Sequence, residues 1–109
     1  MDNPIKDNSE VYAKLIEAFG EDRQLIVCIE EMSELTKELC KYLRYKDEKN
    51  LDKIKENIIE ETADVLILAG QIRNMFGKEK VDKMIEKKIK RTLERCEEQI
   101  KNRQGAKNG

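Results

Sequence analysis

Histidine and tryptophan are absent, and there are only one proline and five glycines. Without histidine there is no imidazole acid–base catalysis, no ordinary mixed zinc site and no carboxylate–histidine di-iron cage. Aromatics make up 5% of the residues, a poor composition for a turn-rich sandwich or barrel. The longest apolar runs, Leu25–Ile29 and Val65–Ala69, are too short to span a membrane, and the N-terminus shows no signal-peptide pattern. The three cysteines, Cys28, Cys40 and Cys96, form no CxxC and are odd in number. They point away from a disulfide framework and toward a reduced, cytoplasmic setting, with all three expected as small core residues on helices.

What the chain does have is charge. Charged residues are 41% and apolar residues 39% of 109, lean but sufficient for one core and one domain. The charge is unevenly placed: residues 77–109 carry eight Lys and three Arg against six acids, a net of +5, which leaves −6 for the rest. Such a division suits a site that holds both a cation and an anion, and equally a solvated helical surface.

Apolar spacing of three and four predicts helices over about 9–19, 22–44, 51–76 and 79–101. Gly20 and Gly77 stop the first and third, and Asn50 is the expected cap of the third. The fourth has Val81, Met84, Ile85, Ile89, Leu93, Cys96 and Ile100 on its inner stripe. Residues 1–8, with Asn3-Pro4, read as a loose lead-in, and 104–109 as a polar, flexible tail behind a helical domain of 1–103. No alternating pattern competes, so the expected fold class is all-α, a four-helix bundle.

Two motifs carry the chemistry. EEMSE supplies Glu30, Glu31 and Glu34, and EETAD supplies Glu60, Glu61 and Asp64. Spacing of i, i+3 puts Glu31 with Glu34, and Glu61 with Asp64, on one face of each helix. In an antiparallel hairpin, residues at one level have a constant sum of numbers. That sum is 95 for Glu31 with Asp64 and for Glu34 with Glu61, and its midpoint falls in the polar turn 44–50. The two apolar runs stack beside the acids in the same register, apolar nearly all round. Carboxylates beside an apolar layer need a counter-charge or a raised pKa. Oxygen-only ligands suit a hard cation, Mg²⁺ first and Mn²⁺ second, with phosphate oxygens as further ligands. The same spacing also describes a solvated acidic face, and the spacing alone does not choose between the two.

IEEMSEL and NIIEETADVLIL, in that order and separation, resemble the paired E-x-x-E and E-x-x-D signature of the MazG-like nucleotide pyrophosphohydrolases, in the all-α NTP pyrophosphatase superfamily. Gln24, the turn KYLRYKD and the stretch EKKIKRTLER extend the similarity over roughly residues 15–95. The resemblance implies metal binding by Glu31, Glu34, Glu61 and Asp64, with Mg²⁺ as cofactor and Mn²⁺ as possible substitute. It implies cleavage of a nucleoside triphosphate between the α- and β-phosphates to a monophosphate and pyrophosphate. The base would be a metal-bound carboxylate, Glu30 or Glu60. Lys88 and Arg91 match a basic pair of the family's last helix and, with Gln24, would hold the phosphates. The usual base-stacking Trp is missing, which leaves Tyr12, Phe19, Tyr42, Tyr45 and Phe76, most of them expected in the core.

A homodimer, or a tetramer of dimers, is expected, because two helices apolar nearly all round at one level exceed what one bundle hides. Membrane association is not expected. Nucleic-acid binding is disfavoured, since six acids interrupt the basic face of 77–109. The remaining rival is a non-catalytic helical interaction module.

Overall fold

The computed structural model describes residues 7–48 and 50–108; the lead-in around Asn3-Pro4 lies outside the described residues. These form four helices and no strand: α1 Ser9–Phe19, α2 Glu21–Tyr45, α3 Asp52–Phe76 and α4 Lys78–Asn108. No helix among them is long and apolar enough to cross a membrane. The chain divides into two compact units, Met1–Met75 and Phe76–Gly109.

Backbone chemistry places the breaks. Gly20, at φ 92, donates its N–H to Ile16 O at 2.8 Å and its carbonyl accepts from Gln24 N at 3.1 Å. A single residue thus ends α1 and opens α2, in a conformation that costs side chains with a Cβ. Asn50 is not the cap of α3. It sits at φ 69, a left-handed position asparagine tolerates, and Leu51 O accepts the first helical bond, from Lys55 N at 2.9 Å. Gly77, at φ 125, separates α3 from α4.

Helix α4 continues through 104–108, where a non-helical tail was expected. Lys, Arg, Gln and Ala favour helix, and one internal glycine, Gly105, costs only about 1 kcal/mol. Its expected inner stripe is exposed: Met84, Ile85, Ile89, Leu93, Cys96 and Ile100 all face solvent, and Val81 is half-buried. The unit is one helix, and a helix cannot cover its own stripe.

Within the first unit, α2 and α3 run antiparallel. Gln24 on α2 donates from Nε2 to Gln71 Oε1 on α3 at 2.7 Å, and their numbers add to 95. Seven residues further along α2, Glu31 meets Asp64 with the same sum. The inward positions of α2 include Gln24, Cys28, Glu31, Leu35 and Glu38, so the buried line is largely polar. Ile29, Met32, Leu39 and Leu43, one helical stripe further round, are exposed. The apolar runs split likewise: Cys28 and Leu68 are buried, whereas Ile26, Ile29, Leu66 and Ile67 are not. Of the cysteines only Cys28 is buried, and burial pushes its thiol pKa up; Cys40 and Cys96 are exposed, a correction to the expected core placement. Cys40 lies off the inward line of α2, and Cys96 lies on the exposed stripe of α4.

Helix α1 closes this unit over α3. Asn74 Nδ2 donates to Ser9 O at 2.8 Å, and Arg73 Nη1 lies 3.7 Å from Asp7 Oδ1. The Tyr12 ring lies on Gly70, where an added Cβ would come within 2.8 Å of Cζ and 3.0 Å of Cδ2. Gly70→Ala should therefore destabilise the fold, because overpacking a rigid ring outweighs the better helix propensity of alanine. A net loss on the order of 1 kcal/mol is expected in urea unfolding. Unchanged or increased stability would show that Tyr12 is not held there.

Candidate metal centre

Antiparallel pairing brings the two acidic motifs together. Glu31 from α2 and Glu61 and Asp64 from α3 each offer a carboxylate oxygen, and these oxygens lie within 4.8 Å of one another. Glu31 and Glu61 are half-buried and Asp64 is exposed, so the group opens to solvent at the Asp64 side. Glu34, the fourth expected ligand, is exposed and outside this set of three, though its charge acts on Glu61. Glu30 and Glu60 are exposed on the same helices. On α3 the i, i+3 spacing puts Glu61 and Asp64 on one face one turn apart, and the antiparallel register brings Glu31 of α2 level with them.

Electrostatics marks Glu61 as the strained member. Its pKa is raised from 4.5 to about 7, first by a hydrogen bond with Glu31, then by desolvation, then by the charges of Glu31, Asp64 and Glu34. A carboxyl–carboxyl hydrogen bond exists only while the pair holds a proton. When both are ionised every oxygen is an acceptor, and Glu61 Oε2 stands buried with no hydrogen-bond partner. A proton or a cation relieves this. The donor set fits a hard divalent cation: all oxygen, anionic, partly open, with a buried acceptor lacking a donor.

Gln24 is buried in the first turns of α2, and its amide is engaged with Gln71. Lys88 and Arg91 are exposed on α4, three residues apart and so on one face. Of the aromatics, Tyr12 and Tyr42 are half-buried, whereas Phe19, Tyr45 and Phe76 are exposed, which corrects the expectation that most are core. The Arg44 guanidinium lies 5.9 Å from the Tyr45 ring centroid. Two residues escaped sequence reasoning. Gln71 shares the sum of 95 with Gln24, a signal already in the numbering. Glu38, one heptad past Glu31, is buried with Oε1 at 3.4 Å from Lys41 Nζ and Oε2 unpartnered.

Compared with protein-family models, curated proteins and solved structures, the chain matches none.

The raised pKa of Glu61 has a definite sign in stability. The folded state holds a proton that the unfolded state releases at lower pH, so the stabilisation is complete below about 4.5 and is lost as pH rises through about 7. In the presence of chelator, the urea midpoint should therefore fall between pH 5 and pH 8. Glu61→Gln should flatten that slope, and Mg²⁺ or Mn²⁺ should restore stability at the alkaline end. A midpoint that rises over this range, with the slope intact in Glu61→Gln, would contradict the assignment.

Proposed function

We propose that the chain is a Mg²⁺-dependent nucleoside triphosphate pyrophosphohydrolase of the MazG-like kind, cleaving between the α- and β-phosphates to a monophosphate and pyrophosphate. The observation that carries the reading is the convergence of Glu31, Glu61 and Asp64 from two helices, together with the unpartnered buried oxygen of Glu61. A surface acidic face solvates its carboxylates separately and has no reason to bring them into contact.

Glu31, Glu61 and Asp64 would hold the ion, with Glu34 one turn along α2 as the fourth candidate. When bound, Mg²⁺ supplies charge neutralisation for the phosphates and acidifies water. The protein's carboxylates supply the proton acceptor: hydrolysis adds one water across the α–β bridge, pyrophosphate leaves, and one proton goes to a carboxylate of the cluster, Glu30 or Glu60. Lys88 and Arg91 have the chemistry to bind phosphate, arginine as a bidentate fork and lysine as a point charge.

The proposed enzyme works as a homo-oligomer. Support comes from α2, where Ile29 and Leu43 are 59% and 65% exposed on a stripe shared with Met32 and Leu39. A stripe spaced 3, 7 and 4 residues is the seam of a helix that packs on another helix. Light scattering at micromolar concentration should give a dimer or larger; a monomer would exclude this assembly.

Incubation with each NTP and dNTP plus Mg²⁺ should release pyrophosphate and not orthophosphate, and chelator should stop it. Glu61→Gln should lower turnover on the order of 100-fold or more with helicity retained, since it removes a ligand charge. Glu98→Gln, on α4, should leave the rate unchanged. Full activity in Glu61→Gln or with chelator would overturn the metal-centre reading, and no release from any nucleotide would favour a non-catalytic helical module.

A further inference from the structure

The most deeply buried side chain in the described chain is polar. Gln71 is 1% exposed and Gln24 9%, and the two amides are joined by the 2.7 Å hydrogen bond. A neutral hydrogen bond of this kind adds little net stability, and a well-packed apolar pair in the same space does as well or better. What a buried polar pair supplies is selectivity of alignment: displaced, each amide loses its partner while remaining buried.

Alignment is the weak point of this helix pair. Cys28 and Leu68 are the only buried apolar side chains described, so apolar shape does little to choose one register over a neighbouring one. Slipping α3 along α2 by one turn moves a residue by about 5.4 Å. That exceeds the 4.8 Å within which the carboxylate oxygens of Glu31, Glu61 and Asp64 lie, so the cluster would disperse. Gln24 precedes Glu31 by seven residues and Gln71 follows Asp64 by seven, which puts the amide pair and the acids on one seam, two turns apart.

We propose that Gln24 and Gln71 are positioning residues, whose mutual hydrogen bond selects the α2–α3 alignment in which Glu31, Glu61 and Asp64 converge. The proposal rests on the metal-centre reading for its functional meaning, while its geometric content stands without it. It also gives Gln24 a role different from phosphate binding, because its Nε2 is committed to Gln71. The role belongs to both residues equally, and Gln71 is the one that separates the two possibilities.

The test compares the full chain with Gln71→Leu, Gln24→Leu and the double variant Gln24→Leu/Gln71→Leu, using Mn²⁺ alone as the probe in calorimetric titration. Each single variant strands a buried amide and should melt lower, and the double variant should recover much of that loss. Mn²⁺ affinity should nevertheless fall about tenfold or more in the double variant, as for loss of a group that orients ligands. Its crystal structure should show Glu31 and Asp64 oxygens beyond 4.8 Å. Parent-like affinity with the alignment retained would overturn the proposal. So would a raised KM for nucleotide in Gln24→Leu with Gln71→Leu unaffected in both KM and Mn²⁺ binding, since that marks Gln24 as a phosphate ligand. If the parent binds no Mn²⁺, the metal-centre reading fails, and the alignment in the double-variant crystal alone decides: shifted supports the proposal, unchanged refutes it. Where the double variant does not fold, Gln71→Met and Gln71→Glu decide by Mn²⁺ titration and crystal structure. Met keeps the length without the hydrogen bond and should weaken Mn²⁺ and shift the alignment, whereas Glu keeps an acceptor for the Gln24 Nε2 donor and should preserve both.

Discussion

Everything distinctive about the first unit follows from α2 meeting α3 through a polar seam. Gln24, Glu31 and Glu38 recur at seven-residue spacing on the inward side of α2, and Gln71 and Asp64 answer the first two at the matching levels of α3. Burying such groups is tolerable only when each finds a partner or a compensating charge. The amides satisfy one another. The carboxylates cannot, since ionised carboxylates offer acceptors and no donors. The seam is therefore closed at the level of Gln24 and incomplete at the level of Glu31.

That incompleteness gives the cluster its chemistry. Glu61 responds by holding a proton to about pH 7, hydrogen-bonded to Glu31. A divalent cation would serve the same electrostatic need with more charge and with coordination positions left over for phosphate oxygens. Under the proposed function, proton and metal would be two answers to one repulsion, acting on the same group of residues.

A helix pair with a polar interior has its apolar residues elsewhere. Ile29, Met32, Leu39 and Leu43 on α2, and Ile59, Leu66 and Ile67 on α3, are exposed. Small chains commonly obtain the rest of their core by association. In this fold the exposure comes from the orientation of α2: the same rotation that turns Glu31 inward turns Ile29 and Met32 outward, because neighbouring residues on a helix are about 100° apart.

Helix periodicity was enough to place α1 over Ser9–Phe19, α2 and α3 within a residue at each end, and the start of α4, since spacing of three and four is a local property. The constant sum of 95 also read the antiparallel register from numbering alone, because two helices of equal rise pair by arithmetic once the turn is known. Other features depended on tertiary context. Which stripe of α2 faces inward is not local: the apolar stripe through Ile29, Met32, Leu39 and Leu43 is exposed, and the line through Gln24, Cys28 and Glu38 is the buried one. The backbone at Asn50 answered to turn closure and not to capping preference, and α4 ran on through 104–108 because nothing in its polar end stops a helix. Sequence determined the elements and the spacing of the acids. Only the tertiary structure decided which carboxylates converge, leaving Glu34 outside the trio, because contact across a helix pair depends on rotation about each axis, and rotation is set by packing.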